Sequence, residues 1–391
     1  MTPANLSRRQ FGRRLGGGLS AAFVANELFR GVAHARQPKG VPEGVIQLNS
    51  NENPYGPSKR AQRAISGARK IAARYPDALE TEVIETIARL HSVAPEQVIL
   101  GCGSGEVLRM ADMAFLAPGQ YVVVANPTFE AVLAYARVTR AEPVQVPQTA
   151  DFRHDLPAMA AACNLRTGLV YVCNPNNPTG TIVTRAELQT FLDRVPLSVT
   201  VLVDEAYHHF VEDPQYASAF AFLEKHPNLV VVRTFSKVYG MAGMRLGYAV
   251  AAREKIAAMR QHLIWNNGNA AVLEAALASL ADADHVPKHR RMNNDLRRWL
   301  CAELERDARR YIPSHTNFVM IHLGRDVGPV IDAFRSRNIL VGRRFPSMDQ
   351  WMRISIGTEK EMKAFLAALR QIVPVSGGQS ASLAPDSRRA A

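Results

Sequence analysis

The chain has 391 residues, 47% of them apolar and 21% charged, with a formal charge of +12. That length and balance give one large α/β unit or two domains around a sizeable core, and exclude a fibrous or wholly disordered chain. Five arginines (Arg8, Arg9, Arg13, Arg14 and Arg30) against Glu27 place four of those charges in the first 35 residues. The remaining surplus suits anionic ligands, and no aromatic-rich basic motif points to nucleic acid. The four cysteines, at 102, 163, 173 and 301, have neither metal-site nor disulfide-framework spacing, so no metal is expected.

The N-terminal stretch "LSRRQFGRRLGGGLSAAFVANELFRGVAHA" carries paired arginines, a short apolar segment interrupted by Asn26 and Glu27, and Ala33-His34-Ala35 as an A-x-A cleavage site. "SRRQFGR" resembles a twin-arginine export signal, which would pass an already folded protein to its export machinery. The other reading is a basic disordered leader. Export implies a periplasmic mature protein starting near Arg36; without it the protein stays cytoplasmic. No stretch approaches the roughly 20 apolar residues of a membrane span.

Short apolar runs then alternate with helical patterns. The runs are "QVILG", "YVVVA", "PVQVP", "LVYVC", "TVLVDEAY", "LVVVRTF" and "RLGYAVA". Helices are expected at 79–91, 104–116, 184–195 and 252–264, with Thr184 and Glu187 forming a capping box. Runs buried on both faces and separated by helices imply a mostly parallel sheet. From about residue 285 the pattern changes to long polar helices, then "NFVMIHL" and "WMRISIG" as amphipathic strands. The expected organisation is a leader at 1–35, an N-terminal segment at 36–75 joining the small domain, and a large domain at 76–280. A small α+β domain at 281–373 and a disordered polar tail at 374–391 complete it.

Ligand groups in such a sheet gather at the carboxyl ends of strands. "QVILG" runs into "CGSGEVLRM", where Gly103, Ser104 and Gly105 open a helix whose free N–H groups suit an anion. "YVVVA" is followed by Phe129, which serves either as core or as a stacking face. "LVYVC" leads into the rigid turn "NPNNPTGT" with Asn177. Asp204 ends a β-branched run and needs a buried partner, either a structural salt bridge or a ligand. Finally "RTFSKVYGMAGMRLGY" places Thr234, Ser236, Lys237 and Arg245 around one strand end.

In that order these strings resemble a fold-type I, pyridoxal-phosphate-dependent aminotransferase of class I/II, closest to the histidinol-phosphate aminotransferase branch. "LNSNENPYGPS", "RYPD", "SHTNFV" and "RISIGT" extend the resemblance over about residues 45–370. It implies an α/β fold with a mostly parallel large-domain sheet, and pyridoxal 5'-phosphate held by Lys237 as a Schiff base. Lys237 would also move the substrate proton. Asp204 would pair with the pyridine nitrogen, Asn177 and Tyr207 would bond the ring oxygen, and Phe129 would stack on the ring. Arg245, Thr234, Ser236 and the Gly103-Ser104-Gly105 turn would hold the phosphate. Tyr75 of "RYPD" would reach the neighbouring subunit's phosphate, which implies a homodimer with shared sites. Arg353 would receive the substrate's anionic end, with Asn317 and Arg343 beside it.

The chain departs from the family at two places. Gly105 stands where many members have aspartate, and Gly342 in "NILVGRRFP" stands where others have an arginine that helps bind substrate phosphate. The expected activity is transamination between an amino acid, or an amine like histidinol phosphate, and a 2-oxo acid. The alternatives are a lyase or decarboxylase on the same scaffold and a non-catalytic sensor. His208 and His209 are given no role, and the cysteines near the site, Cys102 and Cys173, read as small buried apolar residues.

Overall fold

The computed structural model describes residues 44–374. The expected leader, its cleavage site and the polar tail beyond Pro374 lie outside the described residues. A short strand β1 (Ile46–Leu48) comes first. It is followed by β2 (Val98–Gly101), β3 (Tyr121–Asn126), β4 (Glu142–Pro147), β5 (Thr167–Cys173), β6 (Thr200–Asp204), β7 (Leu229–Thr234) and β8 (Gly247–Ala251). These last seven form one sheet in the order β2-β8-β7-β6-β5-β3-β4. From β4 to β7 neighbours run parallel, and β8 is antiparallel to both strands beside it.

Alternate valines explain the layering. Val122, Val124, Leu202 and Val230 face a core shared with helices Gly103–Phe115, Ala131–Thr139 and Arg253–Arg260. Val123, Val201 and Val231 face the opposite core, under helices Leu156–Ala161 and Arg185–Arg194. The latter helix starts on the expected capping box: the Glu187 amide donates to Thr184 Oγ1 at 3.3 Å, and the Thr184 amide donates to Glu187 Oε2 at 2.7 Å. The expected helix at 252–264 stops at Arg260. With five strands parallel, the ends of β3, β5, β6 and β7 share one edge, joined there by the end of β2 and the start of β8. No helix among the described residues is long and apolar enough to cross a membrane.

Beyond the 22-residue helix His285–Arg306 come β9 (Tyr311–Ile312), β10 (Phe318–His322), β11 (Ile339–Val341) and β12 (Trp351–Ser355). β10 lies between β9 and β12 in an antiparallel sheet, while β11 pairs in parallel with β1. The amphipathic expectation for β10 and β12 is corrected here, since both are buried on both faces. One face packs Val319, Ile321, Met352 and Ile354 against Leu300 and Phe365. The other turns Phe318, Arg353 and Ser355 toward Tyr207, Asn177 and Asn51. Those polar residues read as a wet face in sequence, but they line the site.

One buried acid lies apart from that site. Asp112, on the helix Gly103–Phe115, is fully buried and neither carboxyl oxygen has a hydrogen-bond partner among the described residues. Burial pushes its pKa up from 3.8 to about 8. The folded state therefore binds this proton more tightly than the unfolded chain does. The stabilisation is complete below pH 4 and is lost as pH rises through 8, on the order of a few kcal/mol. Asp112→Asn is expected to raise the apparent melting temperature at pH 8–9 by several degrees with little change below pH 4. An equal shift at both pH values would contradict this.

Candidate active site

The site is built at the shared strand edge, beginning with an anion cradle. Gly103 adopts φ +74°, and a Cβ there would lie 2.1 Å from Nη2 of Arg245. A Cβ on Gly247, at the start of β8, would lie 2.3 Å from the Ser104 nitrogen. Only glycine lets the helix start and the guanidinium approach this closely. Arg245 itself sits at φ +63°, a strained conformation for a residue with a side chain. It donates to the Ala242 carbonyl at 2.9 Å, lies 3.4 Å from Ser236 Oγ, and has no carboxylate partner among the described residues. Thr234 Oγ1 donates to Ser236 Oγ at 3.0 Å. The first-turn N–H groups of the helix have no acceptor within it. Guanidinium, hydroxyls and helix N-terminus therefore converge on one anion-sized position.

Asp204 ends β6 with 2% of its surface exposed. Tyr171 donates to Oδ2 at 2.9 Å and the Ala206 amide to Oδ1 at 3.0 Å. No cation pairs with it among the described residues. The structural salt bridge lies one residue on, where Arg233 donates to Glu205 Oε2 through Nη2 at 2.8 Å and Nε at 3.0 Å. The choice left open for Asp204 thus resolves against a structural ion pair. Burial pushes its pKa up to about 6, against the lowering effect of Tyr171 and Ala206. Such an acid is completed by a cationic group entering beside it.

Lys237 follows β7, half-buried, with Nζ donating to the Ser50 carbonyl at 3.3 Å and lying 5.5 Å from the Tyr207 ring centre. Burial first, then the nearby Arg353 charge, pushes its pKa down to about 8. Tyr207 is buried, accepts from Asn51 Nδ2 at 3.0 Å, and keeps its own proton to donate. Arg353 donates from Nη1 to Asn177 Oδ1 at 2.6 Å and from Nη2 to the Asn49 carbonyl at 3.0 Å, leaving its buried Nε without a partner. With Oδ1 taken, Asn177 presents its amide donor elsewhere. Asn317 donates to the Asn51 carbonyl at 2.9 Å and so ties down the "NENP" loop.

The outer residues are more open. Phe129 is 37% exposed and Tyr75 76%. Arg343 pairs with Glu130 at 2.6 Å, and Arg344 with Asp326 at 3.0 Å. Gly342 has no room for a side chain, since a Cβ would lie 2.6 Å from the Arg353 carbonyl oxygen. Cys173 is buried as expected, but Cys102 is exposed, because it caps the helix start instead of packing under it. Sequence reading missed Tyr171, which lies mid-strand, and Asn51, whose only signal is the "NENP" string.

These groups fit pyridoxal phosphate. The cradle that a Cβ would fill suits its phosphate, the unpaired buried Asp204 suits a protonated ring nitrogen, and the depressed Lys237 suits its aldehyde. When bound, the cofactor supplies a carbonyl that condenses with amines and a ring that accepts the electrons left by Cα deprotonation. Lys237 would hold it covalently and then carry the Cα proton, a task helped by a pKa near neutrality. Asp204 would hold the ring-nitrogen proton, and Asn177 and Tyr207 would donate to the ring oxygen. Arg353 would orient the substrate's anionic end through its planar fork.

Comparison with known proteins agrees with this chemistry. Residues 43–369 match the family described as Aminotransferase class I and II. The chain is 40% identical to the histidinol-phosphate aminotransferase of Moorella thermoacetica, covering 84% of this chain and 86% of that one. It is 38% identical to the enzyme of the same name from Brevibacillus brevis, over 84% of this chain and 90% of the relative. In structure it resembles the histidinol-phosphate aminotransferase of Sinorhizobium meliloti in complex with pyridoxal-5'-phosphate. That match has a TM-score of 0.79 and 25% identity, covering 84% of this chain and 90% of that one. A fold-type I α/β sheet, a lysine beside an unpaired buried aspartate and a family match across the described chain lead to one assignment: the protein belongs to the class I and II aminotransferases and is a pyridoxal-phosphate-dependent enzyme.

Proposed function

We propose that the enzyme is an amino-acid transaminase that receives the donor's α-carboxylate on Arg353 and passes the amino group to a 2-oxo acid. The observation that carries this reading is the arginine inventory at the substrate end. Among the described residues Arg353 is the one buried guanidinium bonded to Asn177, Gly342 cannot carry a second, and Arg343 and Arg344 are engaged with Glu130 and Asp326. A single guanidinium balances the one charge of a carboxylate but leaves a phosphate dianion half-compensated. A second reading, histidinol phosphate as the amino donor, is favoured by the names of the relatives. Under it Arg343 leaves Glu130 for the substrate. The lyase alternative has no support in the family match.

The test is a spectral titration of the purified enzyme against single donors, since each productive amine converts the cofactor to its aminated form without an acceptor. Unphosphorylated amino acids should react. A preference for histidinol phosphate of about a hundredfold or more, worth about 2.7 kcal/mol, would transfer the assignment to the second reading.

The reading includes a homodimer with shared sites and an exported, periplasmic location. Support for the dimer is Tyr75, exposed in the "RYPD" turn that leads into the helix Asp77–His91. Support for export is "SRRQFGR" with Ala33-His34-Ala35. Replacing Arg8 and Arg9 together with lysine is expected to leave the protein in the cytoplasm, as read by cell fractionation. An unchanged distribution would contradict export by this route.

A further inference from the structure

Asp204 takes its two side-chain hydrogen bonds from the Ala206 amide and the Tyr171 hydroxyl. The amide belongs to the turn after β6 and comes with the backbone. Tyr171 is different. It lies in the middle of β5, fully buried in the core that also holds Val107, Leu108, Leu202, Val230 and Val232, where a phenylalanine would fill the same space. A phenol is costly to bury there unless its hydroxyl is bonded, and its single proton goes to Oδ2 of Asp204 at 2.9 Å. The register of the sheet makes this possible. Cys173 stands opposite Asp204, so Tyr171 lies two residues earlier on the same face, and the length of its ring carries the hydroxyl to the strand end.

The other groups around Asp204 do not duplicate this bond. Glu205 is already matched by Arg233, and the Cys173 thiol turns to the Pro175 carbonyl at 3.4 Å. Lys237 and Tyr207 come from the site side, where Lys237 bonds Ser50 and Tyr207 bonds Asn51.

We propose that Tyr171 is a positioning residue: through Oδ2 it keeps the Asp204 carboxylate ionised and aimed at the cofactor's ring nitrogen. This rests on the pairing of Asp204 with that nitrogen. Without the hydroxyl, Oδ2 has no protein donor among the described residues, the buried carboxylate gains proton affinity, and its hold on the ring-nitrogen proton weakens.

The test is a binding cycle on apoenzyme, comparing pyridoxal phosphate with its 1-deaza analogue, in which a C–H replaces the ring nitrogen. Tyr171→Phe should raise the Kd of pyridoxal phosphate about tenfold or more, the value of a hydrogen bond to a charged group. The Kd of the deaza analogue should change by less than about twofold, and no further loss should appear in an Asp204→Asn background. Equal weakening of both compounds would reduce Tyr171 to packing, and unchanged binding of both would overturn the proposal as well. Wild type that binds both equally tightly would instead refute the Asp204 pairing beneath it. Replacing Tyr171 by 3-fluorotyrosine, nearly isosteric and a stronger donor, keeps the test open if the phenylalanine variant folds poorly. It should bind pyridoxal phosphate at least as tightly as wild type, and weaker binding would contradict the role.

Discussion

Lys237→Ala is expected to lower the transamination rate by about 10⁴-fold or more, since it removes both the covalent attachment and the group that carries the Cα proton. Pyridoxal phosphate should still bind, without a covalent bond. The cradle of Arg245, Ser236 and the helix start is untouched by the change, and so are Asp204 and its two donors. Among the described residues Lys237 makes one weak hydrogen bond, to Ser50, so the fold should not suffer. The check is single-turnover kinetics together with cofactor retention on gel filtration. Activity within tenfold of wild type would remove Lys237 from the reaction.

The second large effect belongs to Arg353. Arg353→Ala should weaken amino-acid donors by about 2–4 kcal/mol in transition-state stabilisation, or roughly 30- to 1,000-fold in kcat/KM. Cofactor affinity should fall far less than kcat/KM, because Arg353 reaches the cofactor's contacts only through Asn177 and makes no bond to Arg245 or Asp204. Arg353→Lys should recover only part of the loss, since an ammonium cannot bond Asn177, Asn49 and a carboxylate with one rigid fork. Arg343→Ala supplies the contrast. Its guanidinium is half-exposed and held by Glu130, so the change should matter chiefly for substrates with a second anionic group. Steady-state kinetics with glutamate and glutamine as paired donors would separate the two arginines. Equal losses from both substitutions would contradict the separate roles given to them.

Much of this arrangement is legible in the sequence because strand ends in a parallel sheet are marked by abrupt changes of chemistry. "VDEAY", "NPNNPTG" and "TFSKVYG" each break a run of β-branched residues with polar groups, and all three lie on one edge of the sheet. Gly103 and Gly247 are likewise visible as punctuation, although the clashes that require them appear only in three dimensions. What stays hidden is set by register and distance. Tyr171 looks like one more apolar residue of β5 until the pairing with β6 brings its hydroxyl to Asp204. The choice between Asp204 and Glu205 as the salt-bridged acid depends on which face of the sheet each residue meets, and Arg233 decides it. β10 and β12 mislead for a related reason: their alternation of polar and apolar residues suggests one wet face, but Ser355, like Arg353, turns into the site.

Borohydride reduction of the loaded enzyme, followed by peptide mapping, shows directly whether Lys237 carries the cofactor. One reduced pyridoxyl group per chain is expected, on the peptide containing "TFSKVYGMAGMR", at Lys237. Label on a different lysine, or none on fully loaded protein, would contradict it.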